Sequence, residues 1–152
     1  MLYVPDYYNV ANLIGKQARQ RGLSMAMIGA DGWDSPSLDK NALDGGYFTA
    51  QLSPDDPRPI AQDWVKKYQA KYGSKPDALA ALAYDAANLL YTAIKEANSD
   101  DPAKVKDVLA AVKDYQGVSG QISFDASHNP IKSAVMLQVR DGQIKYVETV
   151  AP

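Results

Sequence analysis

The chain has 152 residues, enough for one compact core and a tight fit for two full domains. Its 46% apolar and 22% charged content is that of a globular protein, which excludes disordered, collagen-like and coiled-coil classes. The net charge is −2, with 16 basic and 18 acidic residues dispersed along the chain. No basic stripe is available to neutralise a phosphate backbone, so nucleic acid is not an expected partner.

Cysteine is absent and His128 is the single histidine. Disulfides, thiolate nucleophiles, zinc-thiolate sites and multi-histidine metal sites are therefore removed, and most catalytic chemistry with them. No apolar run approaches the roughly 18 residues a membrane span needs, and the first residues do not read as a charged-then-apolar export signal.

In chain order, Leu2, Tyr3 and Val4 form a short β-prone run that ends at Pro5. Residues 8–21 carry Val10, Leu13, Ile14 and Ala18 at helical spacing opposite Lys16, Arg19 and Gln20, with Gly22 where a helix-terminating glycine belongs. Residues 25–28 predict a buried strand that empties into the loop Gly29-Ala30-Asp31-Gly32-Trp33-Asp34. Ser35 and Pro36 resemble the cap and first residue of a short helix running to about Leu43. A third strand is expected over 46–50, then a proline-rich connection over 53–59 and an amphipathic helix over 60–72 that stops at Gly73. This β-α-β-α-β-α order predicts a parallel sheet with helices on it.

The pattern then changes. Residues 77–97 predict a long helix rich in alanine and leucine over most of its circumference, which calls for neighbours on more than one side. Asp100-Asp101-Pro102 caps a further helix over 103–113. Strands are expected over 119–124, 134–140 and 144–150, joined by turns at 125–130 and at Asp141-Gly142. No internal repeat is visible.

The leading candidate site is the pair of loops after the first two strands, Pro5 to Asn9 and Gly29 to Ser35. Open α/β sheets bind ligands outside the carboxyl ends of their strands. Each loop carries an aromatic residue and a carboxylate, which suits a small cationic or zwitterionic ligand. The plainer alternative is that Asp6 and Asp34 only cap helices and Tyr8 packs on its own helix.

Other groups read as structural. His128 falls among turn formers in a solvated loop, and Asp55-Asp56 and Asp100-Asp101 complement helix N-termini rather than bind metal. Gly29-x-x-Gly32 and Gly117-x-x-Gly120 lack both the phosphate-loop ending and the three-glycine dinucleotide fingerprint. Trp64 and Tyr68 read as packing. Asp85 and Asn88, on the alanine-rich helix, must find partners if a second surface covers them.

Taken together, Tyr3-Val4-Pro5-Asp6-Tyr7-Tyr8-Asn9, Gly29 to Pro36, Leu43-Asp44-Gly45-Gly46-Tyr47-Phe48, Lys71-Tyr72-Gly73-x-x-Pro76 and Ala83-Tyr84-Asp85-Ala86 carry a resemblance, and residues 117–125 continue it. The chain resembles the type I periplasmic solute-binding proteins of branched-chain amino-acid (Leu/Ile/Val) ABC transporters, over essentially its whole length.

The resemblance implies an α/β, flavodoxin-like three-layer lobe of parallel strands completed by C-terminal antiparallel strands. It implies that residues 1–152 are one α/β unit from the C-terminal portion of a two-lobed receptor. Residues 1–73 would supply second-lobe β-α repeats, 74–115 a helical pair that packs on a first lobe, and 116–152 the returning strands. A signal peptide and an N-terminal lobe would precede these residues in the parent, which would work in the periplasm with an ABC permease.

By the same resemblance, Tyr7 and Asp31 would hold an amino acid, Asp31 contacting its α-ammonium, and Trp33 would wall the pocket. No cofactor, metal or catalytic residue is implied. Because the donors for the ligand carboxylate would come from the first lobe, the chain alone is expected to bind little. An uncovered apolar face over 77–113 would favour self-association, with exchange of helices or strands between two copies; the rival is a compact monomer with the helices folded back on the strands. Two other classes stay open. One is a sensory domain of a signalling receptor, which a membrane span elsewhere in the parent would mark. The other is a hydrolase-like or nucleotide-using enzyme, which would need a nucleophile elbow or phosphate loop that this sequence lacks.

Overall fold

The computed structural model describes residues 1–152 and divides them into two compact units, Met1–Asp56 with Ala134–Val150, and Pro57–Ser133 with Ala151–Pro152. The chain begins in the first unit with β1 (Leu2–Val4), α1 (Tyr8–Gln20), β2 (Met27–Gly29), a 3₁₀ turn (Asp31–Trp33) and β3 (Tyr47–Ala50). It continues in the second with α2 (Pro59–Tyr72), α3 (Ala78–Ala97), α4 (Pro102–Ala110), β4 (Tyr115–Gly117), β5 (Gly120–Phe124) and β6 (Pro130–Ile131). It returns to the first with β7 (Ala134–Arg140) and β8 (Gln143–Val150).

The first unit is built on one mixed sheet in the order β1-β2-β3-β7-β8. β1, β2 and β3 run parallel, and β7 and β8 join antiparallel to them. The period-2 pattern of β7 sends Val135, Leu137 and Val139 into the core, where they meet Val4, Met27, Trp33, Leu43 and Phe48. α1 buries only its small positions Ala11, Gly15 and Ala18, so helix and neighbouring chain approach closely. β8 forms the mostly exposed edge of the sheet.

In the second unit α3 lies beside α4, and β4, β5 and β6 form a separate three-stranded antiparallel sheet. The Trp64 ring of α2 lies 5.4 Å from that of Tyr68 and 5.6 Å from that of Tyr84 of α3, tilted against both, so the Trp64–Tyr84 contact staples two helices together. No helix is long and apolar enough to cross a membrane.

Four differences from the sequence expectations have physical causes. Residues 35–43 form turns, not a helix. Ser35 Oγ accepts from the Ser37 amide at 3.1 Å, Asp39 Oδ1 accepts from the Asn41 and Ala42 amides at 3.2 and 3.0 Å, and Asn12 of α1 grips both the Asp39 amide and the Ser37 carbonyl. Side-chain bonds of this kind compete with the helical ladder and win here.

A strand precedes the expected one over 119–124: β4 pairs Tyr115, Gln116 and Gly117 with Ile122, Gln121 and Gly120. The N-cap of α2 is Arg58, with no side-chain cap, so Asp55 and Asp56 do not occupy that position; Asp101 does cap α4, accepting from the Ala103 amide at 2.8 Å. Finally, α3 buries one narrow stripe, Ala78, Ala81, Asp85, Leu89 and Ala93, and leaves Leu79, Leu90 and Tyr91 exposed. Its all-round apolar character therefore exceeds what this chain covers.

Candidate functional site

The parallel register sets Val4 of β1 beside Gly29 of β2, so the two chains leave the sheet side by side at its C-terminal edge. After Val4 the chain makes a three-residue turn around Pro5, with the Asp6 amide donating to the Val4 carbonyl at 2.9 Å. Asp6 Oδ1 accepts from the Tyr7 amide at 2.7 Å. Tyr7 then stands at the N-cap of α1 in extended conformation, and its carbonyl accepts from the Val10 and Ala11 amides. Its side chain points to solvent, 70% exposed.

After Gly29 the second loop winds into the Asp31–Trp33 turn. The Trp33 amide donates to the Ala30 carbonyl at 3.1 Å and the Asp34 amide to the Asp31 carbonyl at 3.0 Å. Asp31 is exposed. Its carboxylate is thus presented on a short, hydrogen-bonded turn rather than on a free loop.

Trp33, expected to wall the pocket, lies beneath this turn and is fully buried. Its ring packs 6.0 Å from Phe48, and its indole N–H donates to the Val4 carbonyl at 3.1 Å. Gly29 makes room for it, because a Cβ at that position would fall within the indole ring. Gly32 brings the two loops together: a Cβ there would sit 3.0 Å from the Asp6 carbonyl oxygen and 3.1 Å from the Tyr7 Cα. Of the three predicted residues, the structure sets Tyr7 and Asp31 in exposed positions on abutting loops, whereas Trp33 is fully buried in the core and walls no open pocket. The contribution of Gly32 was not anticipated, although glycine beside a site aromatic is the signal a close approach leaves.

A second polar cluster lies wholly in the other unit. Asp85 is 2% exposed, yet its Oδ1 accepts from the Val118 amide and its Oδ2 from the Ser119 amide, both at 2.8 Å. The carbonyls of the same hairpin turn are also held, Val118 by Arg58 and Ser119 by Lys132, each at 3.0 Å. A Cβ at Gly117 would meet Asp85 Oδ2 at 2.6 Å, so only glycine admits the carboxylate. Burial pushes the Lys132 ammonium below its usual range, Asp85 pulls it back up and Arg58 adds to the depression. Burial and the negative charge of Asp85 raise the Tyr115 hydroxyl. Asn88 meets its need locally, donating to the Tyr84 carbonyl at 2.8 Å. Asp85 therefore closes a turn, each of its carboxylate oxygens already holding a backbone donor.

His128 sits at positive φ in the exposed 125–130 turn, its amide donating to the Asp125 carbonyl at 3.1 Å. The turn is organised by Asp125, whose carboxyl is held below the ordinary range chiefly by bonds from the Asn129 backbone and side chain.

Comparison with known proteins bears on this arrangement. A family model described as periplasmic binding protein matches residues 8–143. The chain is 33% identical to the Leu/Ile/Val-binding protein homolog 2 of Brucella abortus (strain 2308), an alignment that covers 94% of this chain and 39% of that protein. It is 30% identical to the Leu/Ile/Val-binding protein homolog 1 of Brucella suis biovar 1, covering 97% of this chain and 41% of the relative.

Among solved structures, a leucine-binding protein, LivK, from Thermotoga maritima superposes with a TM-score of 0.92 at 35% identity, over 99% of this chain and 44% of the other. The branched-chain amino acid transporter substrate-binding protein LivJ from Streptococcus pneumoniae, in complex with isoleucine, gives 0.88 at 35% identity over the same shares. The mixed α/β architecture expected from the sequence is thus that of solved binding proteins. The chain spans about two fifths of the length of the curated relatives it matches.

Proposed function

Because the chain belongs to the periplasmic binding protein family, we propose that it is the C-terminal portion of an extracytoplasmic substrate-binding component of an ABC transporter, one that presents Asp31 and Tyr7 to the ammonium end of an aliphatic amino acid. The observation that carries this reading is the pair of abutting loops at the C-terminal edge of the parallel strands, with Asp31 and the Tyr7 ring exposed. A carboxylate supplies the charge-assisted contact an ammonium needs, and a tyrosine ring adds a cation-π face. Leucine, isoleucine and valine are favoured as ligands because the relatives with 30% identity or more carry those names. The transporter's permease would be the protein partner.

Such receptors gain affinity by closing two walls around a desolvated ligand. One exposed carboxylate–ammonium pair contributes only ~0–1 kcal/mol. The chain by itself is therefore expected to bind leucine no more tightly than about millimolar, near −4 kcal/mol. Calorimetry with L-leucine tests this, with N-acetyl-leucine as a control that lacks the ammonium. Weak heat with the first and none with the second is the expected outcome; micromolar binding, or equal response to both, would count against it.

A second assembly reading rests on the open face of α3. Leu79 at 72% and Tyr91 at 68% exposure are apolar surface of a kind that attracts cover. In the longer receptor, residues 74–115 would be covered by the first lobe; in its absence, two copies would pair through 77–113. Light scattering at high concentration distinguishes a dimer from a monomeric mass.

A further inference from the structure

The two candidate ligand residues lie on separate loops, so something has to hold them in one geometry. We infer that Trp33 is a positioning residue that clamps the Asp31 turn to the Tyr7 loop through the Val4 carbonyl, making the Tyr7–Asp31 pair a preformed recognition element. The inference rests on the functional reading above and deepens it.

The Val4 carbonyl accepts two donors, the Asp6 amide at 2.9 Å and the Trp33 indole N–H at 3.1 Å, which occupies both of its lone pairs. The first bond closes the turn that aims the chain at Tyr7. The second ties that turn to the residue two places after Asp31. Trp33 is itself immobilised, fully buried against Phe48 and over Gly29, so the tie is made from a fixed point in the core. Gly32 gives a second, independent observation: a Cβ there would press on the Asp6–Tyr7 backbone, so the two loops come closer than a side chain would allow. A hydrogen bond from Trp33 and a close approach at the adjacent Gly32 together restrict where the turn sits against the Tyr7 loop. Ordering these loops before the ligand arrives removes a cost that binding would otherwise carry. A buried indole N–H needs an acceptor wherever it lies; here that acceptor is the Val4 carbonyl, at the root of the Tyr7 loop, so the ring fills the core while the N–H links the two loops.

The test uses the full 152-residue chain. Trp33→Phe keeps an aromatic ring and removes the N–H donor; Val139→Ala, in the same core but with its backbone bonds to Gly45 and Gly46 and none to either loop, is the control matched by its fall in Tm. Hydrogen exchange at the Trp33 and Asp34 amides reads the order of the turn, and amide shifts at residues 6–9 and 30–34 read an L-leucine titration. The clamp predicts that Trp33→Phe speeds exchange at those two amides at least tenfold and weakens leucine at least threefold, while Val139→Ala does neither. Unchanged exchange in Trp33→Phe overturns the clamp whatever leucine does, and equal changes in the control reduce Trp33 to core packing and overturn it too. Faster exchange in a chain whose parent shows no leucine shifts supports the clamp and sinks the leucine reading, so the two fail separately. Should Trp33→Phe not fold, Gly32→Ala gives the second route, since its Cβ pushes on the Asp6–Tyr7 backbone without touching the indole pocket; loosened 33 and 34 amides are expected, and undisturbed ones contradict the clamp.

Discussion

Asp31 and Asp85 are both aspartates beside a glycine-containing turn, and they have opposite fates. Asp85 is buried on α3 with each carboxylate oxygen on a backbone amide, in a turn whose two carbonyls are held by Arg58 and Lys132. Asp31 is exposed on a turn closed by two backbone bonds, neither of which uses its side chain. A buried charge surrounded by donors has finished its chemistry inside the fold. An exposed charge on a fixed turn is available to something outside it. Polarity alone does not separate structure from function in this chain; what separates them is whether the protein supplies the partners.

The comparison can be broken most forcefully at Asp85. Asp85→Ala leaves the buried Val118 and Ser119 amides without acceptors, and each such orphan costs about 1–3 kcal/mol, so a loss of roughly 2–6 kcal/mol in denaturant unfolding is expected. A loss below about 1 kcal/mol would mean that water reaches the turn and that Asp85 is not the structural partner described. Gly29→Ala comes next. Its Cβ would intrude on the Trp33 ring, and overpacking of this kind costs about 1–3 kcal/mol. Calorimetric Tm should fall, with the fluorescence maximum of the chain shifting if the indole is displaced.

Asp31→Asn should leave stability within about 0.5 kcal/mol, as surface substitutions do, while abolishing any leucine response. An equally destabilising Asp31→Asn would erase the contrast with Asp85. The smallest effect concerns Asp39, whose carboxyl is held below its ordinary value chiefly by the Ala42 amide and then by Lys16, 3.1 Å away. A carboxyl depressed in the folded state adds stability that is present above its unfolded pKa of about 3.9 and is lost as pH falls through the folded value. Acid unfolding below about pH 4 should therefore be shallower in Asp39→Asn than in the parent, and identical profiles would remove Asp39 from the account.

Much of the scaffold was legible because its signals are local. The helical spacing of α1 and the stop glycines at Gly22 and Gly73, both at φ +75°, depend on near neighbours in sequence. So does the alternation of β7. The turns over 35–43 were hidden because Asn12, more than twenty residues upstream, supplies part of their bonding. β4 was hidden because Gly117 reads as a break, whereas its lack of a side chain serves to admit Asp85. At the candidate site, the chemistry of the loops after the first two strands marks only an aromatic and a carboxylate on each; Tyr7 and Asp31 are singled out by the family resemblance, and Trp33 could not be placed. Tryptophan suits a pocket wall and a core equally well, and only the parallel register of β1 on β2 sets its indole N–H on the Val4 carbonyl.

The most direct test of the contrast between the two aspartates is an amide-resolved titration of the chain with L-leucine. The account predicts shifts confined to residues 6–9 and 30–34, saturating with a dissociation constant of about a millimolar or weaker, and none at residues 117–120. Shifts centred on 117–120, or a saturable response elsewhere that leaves Tyr7 and Asp31 unmoved, would contradict it.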